Sequence, residues 1–362
     1  MLSGRTVKII RRVLWGLVAL AVLVVVAALS YRALWQRRIA RAVKITSPQG
    51  IDEAKFIEIN GAQEWITIRG DDKNNPIILF LHGGPSEANS PFISLYRPYE
   101  KDFVFVQWDQ PGAGKTYIKA GNQQPKLTLE SMTADGIAVA EYVRNELHKP
   151  KVIVIGEDSG SLLGLKMIEQ RPDLFVAFVG TDQLVSWVAK QSVEYEYTKS
   201  RATASHDQKT LDALNQAGPP PYLSLEGYRS VPRLLPPEDD AAIARLGRQL
   251  AFSPSLSLTE LFGWYKGLRT GEEELAPILI AVDVRKTDTV FSVPVFFIQG
   301  ENNVIAPTSL VSDYVSRIQA PIKELQIVPG ASYFVIWQHP TEFLNFLRAD
   351  VRSVSIQPGV TN

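Results

Sequence analysis

The sequence predicts an α/β fold in which a mainly parallel β-sheet is covered by helices on both faces. Two further features are predicted: a helical cap inserted into the sheet and one N-terminal transmembrane helix. Short, continuous apolar runs alternate with helix-length stretches, as buried parallel strands and their crossover helices do. A long charged and aromatic segment interrupts this alternation, and an uncharged run stands near the N-terminus.

The uncharged run extends from Val13 to Tyr31, 19 consecutive residues. As a helix rising about 1.5 Å per residue it would cross a bilayer. We favour an uncleaved signal anchor with the globular part outside the cytoplasm. A signal peptide cleaved after Ala28-Leu29-Ser30 is the alternative. The positive-inside rule gives no clean orientation, because basic residues flank the run on both sides: Arg5, Lys8, Arg11 and Arg12 before it, and Arg32, Arg37, Arg38, Arg41 and Lys44 after it.

The first half of the sheet follows a basic linker. Lys55 to Arg69 predicts two alternating strands around Asn60-Gly61, a strong hairpin signal. A helix is predicted from Leu129 to Leu147. Continuous apolar runs predict buried strands at Ile77 to Leu81, Phe103 to Trp108, Val152 to Ile155 and Phe175 to Val179.

The pattern changes at Ser186 and stays helical, with several prolines, as far as Thr289. Strands resume at Val293 to Ile298 and Glu324 to Val328, so the middle segment is predicted to cap the sheet. The predicted organisation is a basic flank (1–12), a transmembrane anchor (13–31), a linker (32–50), the first part of the core (51–185), the cap (186–289), the second part of the core (290–352) and a polar tail (353–362).

Composition excludes several classes of function. Lys plus Arg (38) equals Asp plus Glu (38), so nothing favours a nucleic-acid partner. Without cysteine there is neither a disulfide framework nor a thiolate, and the four histidines are scattered along the chain. We predict no metal and no cofactor. The predicted partners are the lipid bilayer and a small-molecule or peptide ligand in the cleft under the cap.

One segment has the pattern of a nucleophile elbow. The apolar run from Val152 leads into Gly156-Glu157-Asp158-Ser159-Gly160, and a helical stretch begins at Leu162. This strand, turn and helix would present the central residue at the carboxyl edge of the sheet. The central residue is Asp158, where a serine hydrolase would have serine.

Three segments together resemble the proline iminopeptidase branch of the α/β-hydrolase fold, the prolyl aminopeptidase-like peptidases. They are Leu79-Phe-Leu-His82-Gly83-Gly84-Pro85, the segment from Val106 to Thr116, and the elbow. The resemblance covers roughly residues 50 to 350 and also includes Gly180 to Gln183 and Gly218 to Tyr222. It implies an α/β-hydrolase core with a helical cap.

The resemblance also assigns the catalytic positions, and all three are substituted. The family's serine falls on Asp158, its acid on Asn303 and its histidine on Tyr333. A phenol, which titrates near 10, is a poor proton acceptor at neutral pH, and a neutral amide cannot stabilise an imidazolium. We therefore expect a catalytically degenerate protein that acts by binding.

Two catalytic alternatives stay open. Asp158 could form an ester with a substrate, as the aspartate does in the haloalkane dehalogenases and epoxide hydrolases that this Gly-x-Asp-x-Gly arrangement resembles, although cleaving the ester requires a base. Ser159 could act as a non-standard nucleophile for peptide or ester hydrolysis. Without catalysis, Asp158 would accept hydrogen bonds at the start of the following helix or anchor a ligand.

The remaining site residues would build the cleft. Backbone N–H groups of Gly83 and Gly84 are expected to face an oxyanion, and His82 belongs to the same turn. Trp108 lies in the second motif. Glu194 and Glu196 of the cap could meet the amino group of a peptide, as cap carboxylates do in the resembling peptidases, or could simply lie on a helix surface.

Overall fold

A computed structural model describes residues 4–356, which form one eight-stranded sheet in the order β1-β2-β4-β3-β5-β6-β7-β8. β2 pairs antiparallel with β1 and β4, and the other neighbours are parallel. The mainly parallel sheet is thereby confirmed. The strands are β1 Ile51–Ile59, β2 Ala62–Gly70, β3 Ile77–Leu81, β4 Val104–Asp109, β5 Val152–Glu157, β6 Phe175–Thr181, β7 Val295–Gly300 and β8 Lys323–Val328.

Local sequence explains the strands. Asn60 (φ 47°) and Gly61 (φ 86°) form the tight turn that pairs Ile59 with Ala62. Every residue of β3, β4, β5, β6 and β7 is buried, as their unbroken apolar runs predict. Alternate side chains of each strand therefore contribute to the two core layers on opposite faces of the sheet.

Helices cover both faces, and those from α6 to α11 fill the segment between β6 and β7 as the cap. An isolated antiparallel bridge between Ser186 and Asp283 joins the two ends of the cap. The helices are α1 Gly4–Ala42, α2 Ile93–Tyr96, α3 Gly114–Ala120, α4 Leu129–Glu146, α5 Ser159–Gln170, α6 Trp187–Ala204, α7 Gln208–Ala217, α8 Leu225–Ser230, α9 Pro237–Ala251, α10 Leu258–Ala281, α11 Val284–Thr287, α12 Thr308–Arg317, α13 Val335–Gln338, α14 Pro340–Phe346 and α15 Arg352–Ile356.

Helix α1 is longer than the predicted anchor. It includes the basic flank from Gly4 onward and extends to Ala42, so the predicted linker is wrong for residues 32–42. The reason is that this basic stretch consists of good helix formers and contains no proline. The stretch Ile10–Ala42 is long and apolar enough to cross a membrane, and its most apolar window is not buried against the protein.

The predicted polar tail is also wrong in its first residues. Ser353 to Ile356 belong to α15, because Val354 is buried in the core beside Val351. The rest of the predicted tail, residues 357–362, lies outside the described residues.

Candidate active site

Asp158 occupies the strained turn between β5 and α5, with φ 46° and ψ −118°. A non-glycine residue held there costs of order 1–3 kcal/mol. Gly160 makes the turn possible, because a Cβ atom at that position would clash with the carbonyl oxygens of Leu81 and His82. The elbow inferred from sequence is therefore present, and its strained residue is an aspartate.

The Gly83-Gly84 loop packs directly against the elbow. A Cβ atom on Gly83 would lie 2.6 Å from the carbonyl oxygen of Glu157 and 2.7 Å from the Cβ of Asp158. The backbone N–H of Gly84 donates to Asp158 Oδ2 over 3.3 Å, and the backbone N–H of Ser159 also donates to this carboxylate. Of the two N–H groups expected to face an oxyanion, those of Gly83 and Gly84, that of Gly84 is bound by the Asp158 side chain itself.

Tyr333 follows β8 and its hydroxyl donates a hydrogen bond to Asp158. Burial, followed by the negative charge of Asp158, raises the pKa of the Tyr333 phenol well above its usual value. Tyr333 is therefore a proton donor to the carboxylate at any physiological pH, and it cannot act as a general base. Burial likewise raises the pKa of Asp158.

Asp182 is a site residue that the sequence analysis missed. It directly follows β6, has a positive φ of 48° and is fully buried. Its Oδ1 accepts a 2.7 Å hydrogen bond from Asn303 Nδ2, and its Oδ2 accepts one of 3.2 Å from the backbone N–H of Phe334. The available signal was an aspartate immediately after a buried strand, at the edge where the catalytic positions meet.

Asn303, at the predicted acid position, has a structural function. Its Oδ1 accepts hydrogen bonds from the backbone N–H groups of Ile305 (3.1 Å) and Ala306 (2.8 Å), while its Nδ2 holds Asp182. The Asn303 side chain thus stabilises the turn after β7 and holds the carboxyl group of Asp182 in place.

Two more acids lie beside the elbow. Glu157 is buried and accepts a 3.2 Å hydrogen bond from Asn89, and burial raises its pKa well above the usual value. Burial, followed by the charge of Asp158, raises the pKa of Glu87 to about 7. Glu87, Glu157, Asp158 and Asp182 are called the carboxyl cluster below. The sequence analysis quoted Glu157 only as part of the elbow and overlooked Glu87.

Lys190 of α6 is the cation that lowers the pKa of Asp158, against the larger effect of burial. Its Nζ lies 2.6 Å from Glu194 Oε1 and 3.0 Å from the hydroxyl of Tyr228, and the ammonium sits over the Trp187 ring. Glu194 is therefore buried and already paired, which contradicts its prediction as a free acceptor for a peptide amine.

Glu196 does not belong to the cleft. It is exposed, because two residues along a helix from buried Glu194 the side chain points to a different side. Trp108 is likewise a core residue: its Nε1 donates to Glu64 over 2.6 Å, and its ring packs near Gly136 of α4. Glu196 therefore has the second position expected for it, on a helix surface, and Trp108 packs in the core rather than lining the cleft.

His82 stabilises the Gly83-Gly84 loop through hydrogen bonds. Its Nε2 accepts a 3.2 Å hydrogen bond from the backbone N–H of Gln110, which leaves Nδ1, 3.2 Å from the carbonyl oxygen of Gly83, to carry the proton. Burial lowers the pKa of this imidazole to about 4. His82 is therefore neutral and structural.

The other histidines are remote from Asp158. His339 Nε2 lies 2.9 Å from Glu238 Oε1, and His148 and His206 are exposed. Within residues 4–356, no histidine is hydrogen-bonded to Asp158 or placed to serve it as a base.

Two cavities lie near the elbow, and one of them reaches it. A groove of about 700 Å³ runs between α4, α5 and α10, and its charged lining residues are Lys126, Glu130, Lys166, Glu169 and Glu274. A small cavity of about 30 Å³ reaches Ser86 and Ser159, and Leu129 and Ile278 line both spaces. The groove therefore leads towards the start of α5, where Ser159 lies among leucine side chains.

Helix α10 of the cap packs closely against the loop that contains Gly83, Gly84 and Ser86. Ser86 has a positive φ of 67° and is buried, and a Cβ atom at Gly271 of α10 would clash with the Ser86 hydroxyl. Glycine at 271 is what lets α10 approach so closely. The narrow inner cavity follows from this contact.

A strained elbow, a glycine loop packed against it and a helical cap over the carboxyl edge of the sheet are the architecture of an α/β-hydrolase site, with Asp158 at the position of the elbow residue. Residues 76–340 match the family defined by the α/β hydrolase fold, and the chain belongs to that family. A curated relative from Bacillus subtilis (strain 168), "Probable aminopeptidase YbaC", is 27% identical over 320 residues, which cover 85% of this chain and 99% of the relative.

Solved structures show the same fold. A bacterial membrane phospholipase A superposes with a TM-score of 0.61 at 13% identity, covering 96% of this chain and all of the other. The proline iminopeptidase of Mycobacterium smegmatis superposes with a TM-score of 0.55 at 15% identity, covering 84% of this chain and 99% of the other. The resemblance to the proline iminopeptidases, inferred from motifs, is confirmed.

Proposed function

We propose that this protein is a membrane-anchored α/β-hydrolase-fold protein that binds an amine-bearing ligand, such as a peptide amino terminus, under its cap. It does not hydrolyse that ligand through a serine triad. The observation that supports this most directly is that the Asp158 carboxylate accepts the N–H groups of Gly84 and Ser159. A substrate carbonyl would find these donors already engaged.

The charges at the elbow support an amine as the recognised group. The carboxyl cluster brings four acidic side chains together, whereas Lys190 is already paired with Glu194. Burial raises the pKa values of all four carboxyl groups, and repulsion from neighbouring carboxylates raises those of Glu87, Glu157 and Asp182 further, so folding favours their protonated forms. An incoming ammonium group would let these carboxyls ionise, which makes the cluster a cation acceptor. The aminopeptidase-named relative agrees with such a ligand.

The membrane anchor and its orientation are part of the proposal. An apolar helix with a short basic flank is typical of an uncleaved signal anchor, which leaves the following domain outside the cytoplasm. A protease added to intact cells should then digest the globular domain. Protection of the domain until the cells are lysed would contradict this orientation.

Calorimetric titration of the full-length protein in detergent tests the ligand class. L-prolinamide, which has a free amine, should bind, and N-acetyl-L-prolinamide should not. Asp158→Asn should weaken prolinamide binding by about tenfold or more, corresponding to about 1.4 kcal/mol. Glu196→Gln is the matched control, because Glu196 is an exposed acid of the cap, away from the elbow, and the variant should bind as the parent does. Equal binding of the two amides would contradict the proposal.

A fluorophosphonate probe tests the absence of a serine nucleophile. The expected result is no labelling, since the small cavity that Ser159 lines holds mainly apolar residues, with Ser86 and Gln110, and none of them can act as a base. Labelling of Ser159 would overturn the proposal and establish an unorthodox serine hydrolase.

A second candidate is supported by the position of Asp158 itself, which is half-buried at the apex of a strained elbow. Its carboxylate could open an epoxide and form an ester, which would persist because no imidazole is placed to activate water. Incubation with styrene oxide and intact-mass spectrometry would then show a stable adduct on Asp158. An unmodified mass removes this candidate.

A further inference from the structure

Helix α1 continues past its apolar stretch and docks on the cap. Arg32 Nε donates to the carbonyl oxygen of Ala251 over 2.9 Å, and its Nη2 donates to that of Leu256 over 2.7 Å. One turn further, Gln36 Nε2 donates to the carbonyl oxygen of Ser253 over 2.7 Å. These bonds tie α1 to the loop between α9 and α10.

Aromatic rings reinforce the same contact. Phe252 lies 5.7 Å from the ring of Tyr31 and 6.4 Å from that of Trp35, measured between centroids. Tyr31 and Trp35 also contact each other. Tyrosine and tryptophan are the residues enriched where a transmembrane helix passes through the bilayer interface.

This docking sets the level of the cap relative to a membrane. The uncharged stretch ends at Tyr31, so Arg32 marks the boundary between hydrocarbon and headgroups. With α1 spanning the bilayer as proposed, Arg32 would hold these carbonyl oxygens near that level. Leu256 stands two residues before the start of α10, so the first residues of α10 would lie close to the membrane boundary.

The start of α10 carries an exposed apolar face at this position. Leu258, Phe262 and Tyr265 follow one another at intervals of four and three residues and so share one side of the helix. Their exposures are 42%, 75% and 47%. Phe262 is the most exposed large apolar side chain of the described residues. These three residues are called the α10 face.

We infer that the α10 face docks on the surface of the bilayer that α1 crosses. The inference rests on the anchoring proposed for α1 and goes beyond it, because an anchored domain could equally stand clear of the membrane. The α10 face follows directly after the residues that contact α1, so we expect lipid to be what covers it. Exposed Arg37, Arg38 and Arg41 add positive charge beside the same boundary, which favours anionic headgroups.

The docking would hold the cap in a fixed position above the lipid. α10 is one continuous helix from Leu258 to Ala281, and its second half lines the groove and the inner cavity. The helix that lies on the bilayer therefore also forms a wall of the ligand site.

The chain has no cysteine, so a single introduced cysteine is the only thiol and can be labelled specifically. We would attach the fluorophore NBD to Phe262→Cys, Val290→Cys or Leu20→Cys in the full-length protein. Each variant is reconstituted in vesicles of phosphatidylcholine and phosphatidylglycerol. Val290 is the matched control: it is 64% exposed and apolar, but it precedes β7 at the amino end of the strands, opposite the cap. Leu20 reports the transmembrane segment.

The label at 262 should be quenched by doxyl-labelled lipid and shielded several-fold from aqueous iodide, compared with the label at 290. The label at 20 should be quenched by lipid and inaccessible to iodide. If 262 is as accessible to iodide as 290 while 20 remains in lipid, the docking is wrong and the anchor stands. If 20 is also exposed to iodide, the anchor fails as well. Shielding of 262 without lipid quenching would indicate a protein partner and would overturn the inference.

Discussion

The side-chain amide of Asn303 donates a 2.7 Å hydrogen bond to Asp182, the buried carboxyl group that follows β6. The second oxygen of Asp182 accepts the backbone N–H of Phe334, the residue next to Tyr333. A buried acid therefore contacts the residue next to position 333, although position 303, which was expected to supply the acid, holds an amide. Asp182 follows β6, the strand that neighbours β7 in the sheet.

This contact predicts which substitutions would rebuild a serine hydrolase. Asp158→Ser with Tyr333→His should produce measurable cleavage of proline p-nitroanilide while Asn303 is retained. The gain over Asp158→Ser alone should be on the order of 10²-fold, as expected for an added general base. Restored labelling by a fluorophosphonate would confirm the nucleophile.

The same contact predicts that adding Asn303→Asp, the third substitution of the expected triad, lowers both activity and stability. Adding Asn303→Asp would place a second carboxyl group against Asp182 and remove its hydrogen-bond donor. The triple variant should therefore be slower and less stable than the double variant. If the triple variant is the faster enzyme, position 303 and not Asp182 supplies the acid.

Backbone strain at Asp158 predicts an unusual order of stability. Glycine adopts a φ of 46° and ψ of −118° far more readily than alanine, so Asp158→Gly should melt above Asp158→Ala, with about 1 kcal/mol between them. The control is Glu196 in the middle of α6, where Glu196→Gly should melt below Glu196→Ala. The same order at both positions would mean that the elbow is relaxed.

Much of the fold was predictable because its signals are local. Asn60-Gly61 specifies a hairpin by itself, and unbroken apolar runs specify buried parallel strands. The spacing of the glycines around Asp158 likewise predicts the elbow. Each of these patterns depends on neighbours within a few residues.

The missed features depend on contacts between distant segments. Asp182 becomes a site residue only because Asn303 and Phe334 are brought to it, 121 and 152 residues along the chain. The full length of α1 could not be predicted because the basic stretch 32–42 is also typical of a linker. Its place in the helix depends on a distant contact, since Arg32 binds the cap more than 200 residues away.

The carboxyl cluster predicts that stability falls as pH rises. Burial and the charge of Asp158 raise the pKa of Glu87 from an ordinary 4.5 to about 7 in the folded protein, so folding favours the protonated form. The stabilisation is complete below pH 4.5 and is lost as pH rises through about 7. The melting temperature should fall between pH 5 and pH 8, and Glu87→Gln should flatten that slope. An unchanged slope in the variant would show that Glu87 does not contribute.

The Lys190–Glu194 ion pair is buried. Removing one partner should lower the free energy of unfolding strongly, whereas replacing both partners by apolar residues should lower it only slightly. Lys190→Met leaves Glu194 charged in an apolar cap and should reduce the free energy of unfolding by about 3–5 kcal/mol. Lys190→Met with Glu194→Leu should recover most of that loss. The exposed pair Arg269–Glu273, at 3.8 Å, is the control, and Arg269→Ala should change stability by less than about 1 kcal/mol. Denaturant unfolding followed by tryptophan fluorescence measures all three variants. A double variant no more stable than Lys190→Met would mean that Lys190 stabilises the cap through other groups, such as Asp158.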